Sequence, residues 1–179
     1  HPKFSRKGKK IKKIERKKIT KEDLCKRFGW SHDSPIGMIF ASDLTDGVFA
    51  GTWSLFRDRL TWLRETLREI RKVSTVNWLV KPHPNDEFND VITSTISEYE
   101  KNCSNYNHVK IFPDDITIGS IPKFIDVALT QSGTPATEYP CFGIPTITSC
   151  ETATSELGYT IEPRSKEDYF FQLQNAKKL

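Results

Sequence analysis

Short apolar runs alternate with longer amphipathic stretches along most of this chain, and the spacing within each predicts its element. Residues Ile36 to Ala41, counting Gly37, form a six-residue apolar run bounded by turn residues, which reads as a first buried strand. From about Thr52 to Lys72 the period becomes helical. Leu55, Phe56, Leu60, Leu63, Leu67 and Ile70 recur at three- and four-residue steps, with Arg57, Asp58, Arg64, Glu65, Arg68 and Glu69 on the other side. Val76–Val80 is a second strand, stopped by Lys81-Pro82-His83-Pro84, and a helix is predicted from about Glu87 to Glu100. Val109–Phe112 is a third strand, followed by a helical turn at Ser120–Phe124 and a fourth strand at Ile125–Thr130. A helix from Pro135 to Phe142 has Gly143 as its left-handed cap, and Ile144–Thr148 is a fifth strand. Tyr159–Ile161 suits a short sixth strand, and Ser165 caps a last helix running to about Ala176. Near the start, Thr20 and Asp23 form a capping box for a short helix through Arg27, stopped by Gly29.

Strands alternating with helices imply an α/β fold: a Rossmann-like parallel sheet of five to six strands with helices on both faces. Trp62 and Trp78 are expected to pack between helix and sheet. In such sheets ligands bind beyond the carboxyl ends of the strands. The informative loops are therefore 42–47, 81–86, 113–119, 131–134 and 149–156.

Composition narrows the class. At 179 residues the chain suits one compact domain, and its four Trp and eleven Phe argue against intrinsic disorder. No apolar run approaches the roughly twenty residues that span a bilayer, and no apolar segment follows the basic start as a signal peptide requires. The net charge of +4 conceals an asymmetry: residues 1–30 carry thirteen Lys and Arg against three acids, and the remainder carries fourteen against twenty. This divides the chain into a basic N-terminal arm with a short helix (1–30) and a Rossmann-like α/β domain (31–179). The arm suits a solvated linker, an anionic lipid surface or an acidic partner. The interleaved aromatics of single-strand nucleic-acid binders are missing from residues 1–27 apart from Phe4, which sets nucleic acid aside. The start at His1-Pro2, without an initiator Met, suggests a piece of a longer protein. Cys25, Cys103, Cys141 and Cys150 lack zinc-site or disulfide-framework spacing and read as reduced thiols of a cytoplasmic protein.

Two motifs carry most of the candidate chemistry. Ser132-Gly133-Thr134-Pro135 joins a predicted strand to a predicted helix, with Thr134 at the N-cap position and Pro135 at N1. A helix start offers unpaired N–H groups and partial positive charge. Gly133 lets an anion approach the backbone, and the Ser132 and Thr134 hydroxyls donate to phosphate oxygens. Glu138, one turn on, suits a ribose diol. A plain capped turn would use the same residue types. In Lys81-Pro-His83-Pro84 the prolines stiffen the strand exit and direct a cation and an imidazole outward. That pair suits a diphosphate leaving group, Lys81 by charge and His83 by a hydrogen bond or a proton. A proline turn with a solvated Lys and a structural His is the alternative. Phe112 and Pro113 offer amides and a flat surface to a nucleobase, and Asp43 and Asp46 suit a sugar, a metal or the turn itself. His32 and His108 default to surface positions. Walker, G-x-S-x-G and G-x-G-x-x-G signatures are missing, which disfavours P-loop NTPases, serine hydrolases and dehydrogenases.

Four stretches together resemble the C-terminal, donor-nucleotide-binding half of bacterial capsule and lipopolysaccharide biosynthesis glycosyltransferases of the GT-B type, distantly akin to teichoic-acid polymerases and Kdo transferases. They are Asp58-Arg-Leu-Thr-Trp62-Leu, Val76-Asn-Trp-Leu-Val-Lys-Pro-His-Pro84, Ser132-Gly-Thr-Pro-Ala-Thr-Glu138-Tyr-Pro-Cys-Phe-Gly143-Ile-Pro145 and Gly158-Tyr-Thr-Ile161. The resemblance covers roughly residues 36–175. It implies a nucleotide-sugar donor whose diphosphate rests on Ser132, Gly133 and Thr134 with Lys81 and His83, and whose ribose meets Glu138. It implies no metal and no further cofactor, a saccharide or lipid-linked acceptor, and an N-terminal GT-B domain outside this chain. Residues 1–19 would then suit peripheral contact with the inner face of the cell membrane. A sugar-nucleotide 2-epimerase or polyol-phosphate transferase on the same scaffold, or a non-catalytic nucleotide or membrane-surface module, are the alternatives.

Overall fold

Strand β1 (Ile36–Phe40) is buried along its whole length, the signature of a strand flanked on both sides and covered on both faces. The computed structural model describes residues 15–44, 52–86 and 93–179. In it β1 is joined by β2 (Asn77–Lys81), β3 (Val109–Ile111), β4 (Val127–Thr130) and β5 (Thr146–Thr148), with helices α1 (Lys21–Phe28), α2 (Arg59–Ile70), α3 (Thr95–Cys103), α4 (Pro135–Glu138) and α5 (Lys166–Gln174). The sheet order is β3-β2-β1-β4-β5 and every pairing is parallel. This is the Rossmann-like α/β architecture that the alternation of elements predicts.

The register brings the strand exits into line. Phe40 pairs with Lys81 on one side and Thr130 on the other, and Thr130 pairs with Thr148. Side chains alternate across the sheet. Ile39, Trp78, Val80, Val127, Leu129 and Ile147 pack beneath α2 and α5 with Trp62, Leu67, Tyr169 and Leu173. Ile36, Met38, Phe40, Leu79 and Ala128 pack on the opposite face with Leu24, Trp30, Ile121 and Tyr139. Both Trp62 and Trp78 are fully buried. The indole of Trp78 lies over Gly37, where an added Cβ would collide with the ring.

Several elements differ from expectation for identifiable reasons. Helix α2 starts at Asp58, whose carboxylate accepts the Thr61 N–H at 2.6 Å, not near Thr52. The preceding segment instead makes one antiparallel bridge, Ser54 to Cys150, and bends from 55 to 58. Leu55 N–H donates to the Ser149 carbonyl at 2.9 Å and Glu151 N–H to the Trp53 carbonyl at 3.1 Å. Phe56 is buried edge-on to Tyr169, with ring centres 5.3 Å apart, so its apolar character serves the core without helix. The helix predicted over 135–142 is broken into α4 and a 3-10 turn at Pro140–Phe142, because Pro140 has no N–H to continue it. Gly143, at φ +74°, ends that turn as expected. Helix α3 is capped by Ser94, and the earlier part of that predicted helix falls on 87–92, outside the described residues. The sixth strand reduces to one parallel bridge between Ile161 and Ile147. His108 is half-buried and its Nε2 lies 3.2 Å from the Ile70 carbonyl at the end of α2, whereas His32 is exposed. None of the four cysteines is paired. Among the described residues no helix is long and apolar enough to cross a membrane.

The described end of the basic segment is held by backbone bonds. Lys17 N–H donates to the Asp115 carbonyl at 2.7 Å, and Thr117 N–H donates to the Lys17 carbonyl at 2.9 Å. Thr20 and Asp23 form the expected capping box of α1, and Arg27 bonds both carboxylate oxygens of Asp115 at 2.9 and 3.0 Å. Across α2 and α3, the buried Glu98 carboxylate accepts two bonds from Arg64, at 2.8 and 2.9 Å, and one from the Thr93 hydroxyl at 2.6 Å.

Two predictions follow from this packing. Gly37→Ala drives a methyl group into the Trp78 indole, so it lowers stability by about 1–3 kcal/mol. Urea denaturation measures this, and an unchanged midpoint would mean that the ring moves aside freely. The second concerns acid. The Arg64 guanidinium, helped by Thr93 and Lys101 against the effect of burial, holds the Glu98 carboxyl down at about 2 from 4.5. A depressed carboxyl contributes stability that is complete above its unfolded value and is lost as pH falls toward the folded one. Wild-type stability therefore declines between about pH 4.5 and 2, and Glu98→Gln, less stable at neutral pH, shows a shallower decline in that window when denaturation midpoints are followed against pH.

Candidate functional site

The order of the sheet reverses at β1: the chain moves outward to β2 and β3, then returns across β1 to β4 and β5. The chain therefore leads from β1 to α2 on one face and from β4 to α4 on the other, and open α/β sheets bind ligands at the carboxyl edge beside such a switch point. Both motifs singled out by the sequence reach this edge, because Lys81 ends β2 and Ser132 stands two residues beyond the end of β4.

On the β2 side, Lys81 is half-buried and its ammonium donates to the Pro82 carbonyl at 3.3 Å. Burial pushes the ammonium below its ordinary pKa, and the Arg16 guanidinium adds to this, while Asp114 acts in the opposite direction. His83 is held by its own turn. The Asn85 N–H donates to its Nδ1 at 3.2 Å, and the Asp86 N–H donates to its carbonyl at 3.0 Å. With Nδ1 accepting, the neutral ring carries its proton on Nε2. The Asn85 amide also donates to the Asp43 carboxylate at 2.8 Å, and that carboxylate lies 3.9 Å from His83 Nδ1. Asp43, a candidate for a sugar, a metal or the turn itself, ties the β1 loop to the β2 loop through this bond. Asp46 lies outside the described residues.

On the β4 side, Gly133 adopts φ +119°, a conformation open to glycine and strained for other residues. The turn is fixed by Thr130 Oγ1, which donates to the Ser132 carbonyl at 3.0 Å. The first helical bond runs from Ala136 N–H to the Gly133 carbonyl at 3.0 Å, so Thr134 already has helical dihedrals and its hydroxyl makes no cap. Gly133 and Thr134 are exposed and Ser132 is partly so. Glu138 stands one turn further along α4, exposed. Phe112 is buried among the residues under α1, so its ring is committed to packing, while Pro113 is half-exposed at the lip.

The structure adds features with no local sequence signal. The side-chain oxygens of Ser42, Gln131, Thr148 and Ser149 are buried without a hydrogen-bond partner, and all four residues sit at the ends of β1, β4 and β5. Each such atom costs about 1–3 kcal/mol when left unsatisfied. The Cys150 thiol donates to the Gln131 carbonyl at 3.0 Å, and burial pushes its pKa up to about 11, which keeps it protonated and inert. Among the described residues no three His, Cys, Asp or Glu side chains gather as metal ligands would. The carboxyl edge of the sheet thus carries Lys81 and His83 after β2, the Ser132-Gly133-Thr134 turn after β4, and buried unpaired oxygens at the ends of β1, β4 and β5.

No family model matches the chain, and no curated protein does. Solved structures do resemble it. One is a Staphylococcus aureus MnaA–UDP co-structure, at 15% identity and TM-score 0.57, covering 87% of this chain and 39% of that one. A second is a putative UDP-N-acetylglucosamine 2-epimerase from Listeria monocytogenes, at 12% identity and TM-score 0.61, covering 92% and 41%. A third is KpsC, a β-Kdo 2,7 transferase from Thermosulfurimonas dismutans, at 16% identity and TM-score 0.50, covering 85% and 49%. At these identities the likeness shows a shared fold, and the chain spans between about two fifths and half of the length of these proteins.

Proposed function

We propose that this chain is the donor-binding domain of a nucleotide-sugar enzyme, and that the enzyme is a glycosyltransferase of bacterial surface-polysaccharide assembly. The observation that carries the reading is that Lys81-Pro-His83 leaves β2 and Ser132-Gly133-Thr134 leaves β4 at the same carboxyl edge, on either side of the strand where the sheet order reverses. The fold shared with a protein solved with UDP and with a Kdo transferase supports it, as do the four motif stretches.

In this reading the diphosphate of the donor lies across the crevice. The backbone N–H groups of Gly133 and Thr134 and the hydroxyls of Ser132 and Thr134 bind it from one side. The Lys81 ammonium and the Nε2–H of His83 meet it from the other, offsetting the charge that develops as the nucleoside diphosphate leaves the sugar. Because His83 Nδ1 is already occupied by the Asn85 N–H, the imidazole acts first as a hydrogen-bond donor. Glu138 accepts from the ribose hydroxyls, and the amides near Pro113 face the base. A second α/β domain brings the acceptor hydroxyl to the anomeric carbon. One observation favours a second reading: the structures named as a 2-epimerase and as the UDP complex superpose with higher TM-scores than the transferase. An epimerase would use the same donor site, and product analysis of the full-length protein with UDP-N-acetylglucosamine separates the two.

Calorimetric titration with UDP-, CMP- and GDP-sugars tests the common part. Saturable binding of at least one is expected, and a folded chain that binds none would sink the proposal. Glu138→Ala weakens that binding by about tenfold, the loss of one hydrogen bond to a charged acceptor, without moving the unfolding midpoint. His83→Ala lowers kcat in the full-length enzyme more than it weakens donor binding; equal losses would assign His83 to uniform binding.

A further inference from the structure

The described end of the basic segment stands in a defined place beside the proposed site. Lys17 adds a short parallel rung to the loop that follows β3, through its bonds to Asp115 and Thr117. Arg27 clamps the same loop from α1 by pairing with Asp115. One residue ahead of the rung, Arg16 donates from Nε to the Asp114 carbonyl at 3.3 Å. That loop leaves the strand next to β2, and Phe112 N–H donates to the Val80 carbonyl at 2.8 Å, immediately before Lys81. Arg16 is thereby held at the loop that leaves β3 beside the exit of β2, so that its charge and that of Asp114 both bear on the Lys81 ammonium. Two cations fixed on neighbouring elements repel each other, and a phosphate between them turns that cost into attraction.

We propose that Arg16 and Lys81 form one anion site, in which the arm contributes a second cation to the lip of the crevice and the ligand is a phosphate or pyrophosphate group. This deepens the nucleotide-sugar reading by assigning the arm a role toward the donor's diphosphate, yet the anion site can be examined without any nucleotide. Arg suits the role because its planar fork keeps N–H donors for an oxyanion while Nε holds the Asp114 carbonyl. The arrangement also accounts for a backbone rung in a segment with no apolar pattern: the rung sets where the guanidinium stands.

The test uses the full 179-residue chain with inorganic pyrophosphate as the probe, followed by calorimetry or 31P NMR at fixed salt. Arg16→Gln is compared with Lys18→Gln, which removes the same charge from an exposed position two residues away. Arg16→Gln is expected to weaken pyrophosphate binding by about tenfold, the scale of one charge-assisted hydrogen bond, and Lys18→Gln by less than about twofold, as a screened surface charge should. Equal losses in the two variants, an Arg16→Gln chain that binds like wild type, or a wild-type chain that does not bind pyrophosphate would each overturn the proposal. UDP and uridine, titrated in parallel, separate this inference from the reading it rests on. Pyrophosphate binding that depends on Arg16, without UDP binding, sinks the nucleotide reading alone. UDP binding untouched by Arg16→Gln sinks the Arg16 assignment alone.

Discussion

Parallel pairing of β1 to both neighbours is the constraint on which the rest of the molecule depends. A central parallel strand must satisfy backbone groups on both edges and bury side chains on both faces, and Ile36–Phe40 does so with Gly37 as its only side-chain gap. The Asp126 carboxylate fixes the beginning of this arrangement by accepting the Ile36 N–H at 2.8 Å, and Asp126 N–H returns a bond to the Ile36 carbonyl at 2.8 Å. From that point the register carries Lys81, Thr130 and Thr148 to a common edge. The placement of the crevice is thus a property of the core, and the loops inherit it.

What stands at that edge is tied by bonds that reach beyond its own loops. The β2 turn is laced to the β1 loop through Asn85 and Asp43, the β4 turn is closed by Thr130, and the segment entering α2 is bonded to the chain leaving β5. The pieces that would meet a charged ligand are each restrained by groups that do not themselves touch it. This is the pre-organisation that an anion site requires, since ordering flexible cations at the moment of binding would cost about 0.5–1.5 kcal/mol for each side chain fixed.

Much of the scaffold was legible because burial imposes a pattern. Contiguous apolar runs marked β1, β2 and β4, and the three- and four-residue spacing marked the body of α2. The failures have the same origin. Leu55 and Phe56 continue the apolar rhythm of α2, yet the backbone groups of Leu55 and Trp53 find partners on the chain after β5, a contact between segments nearly a hundred residues apart that leaves no trace in local spacing. Pro140 was visible but its effect depended on whether the helix could continue past it. The two loop motifs were legible because Pro, Gly and hydroxyl residues at strand ends have few other uses. The Asp43–Asn85 bond and the Lys17 rung were not, because a polar residue looks alike whether solvated or paired, and backbone pairing has no composition.

The stacking of Trp78 on Gly37 reaches further than one contact. A displacement of β2 along β1 by two residues would keep the same sides facing inward but would set Ile39, with its branched side chain, beneath the indole in place of a hydrogen atom. Shifted alignments are thereby penalised during assembly at the end of the strands remote from the crevice. The indole works as a locating pin, and the distance between the walls that would grip a ligand is gauged by an aromatic ring that never meets one.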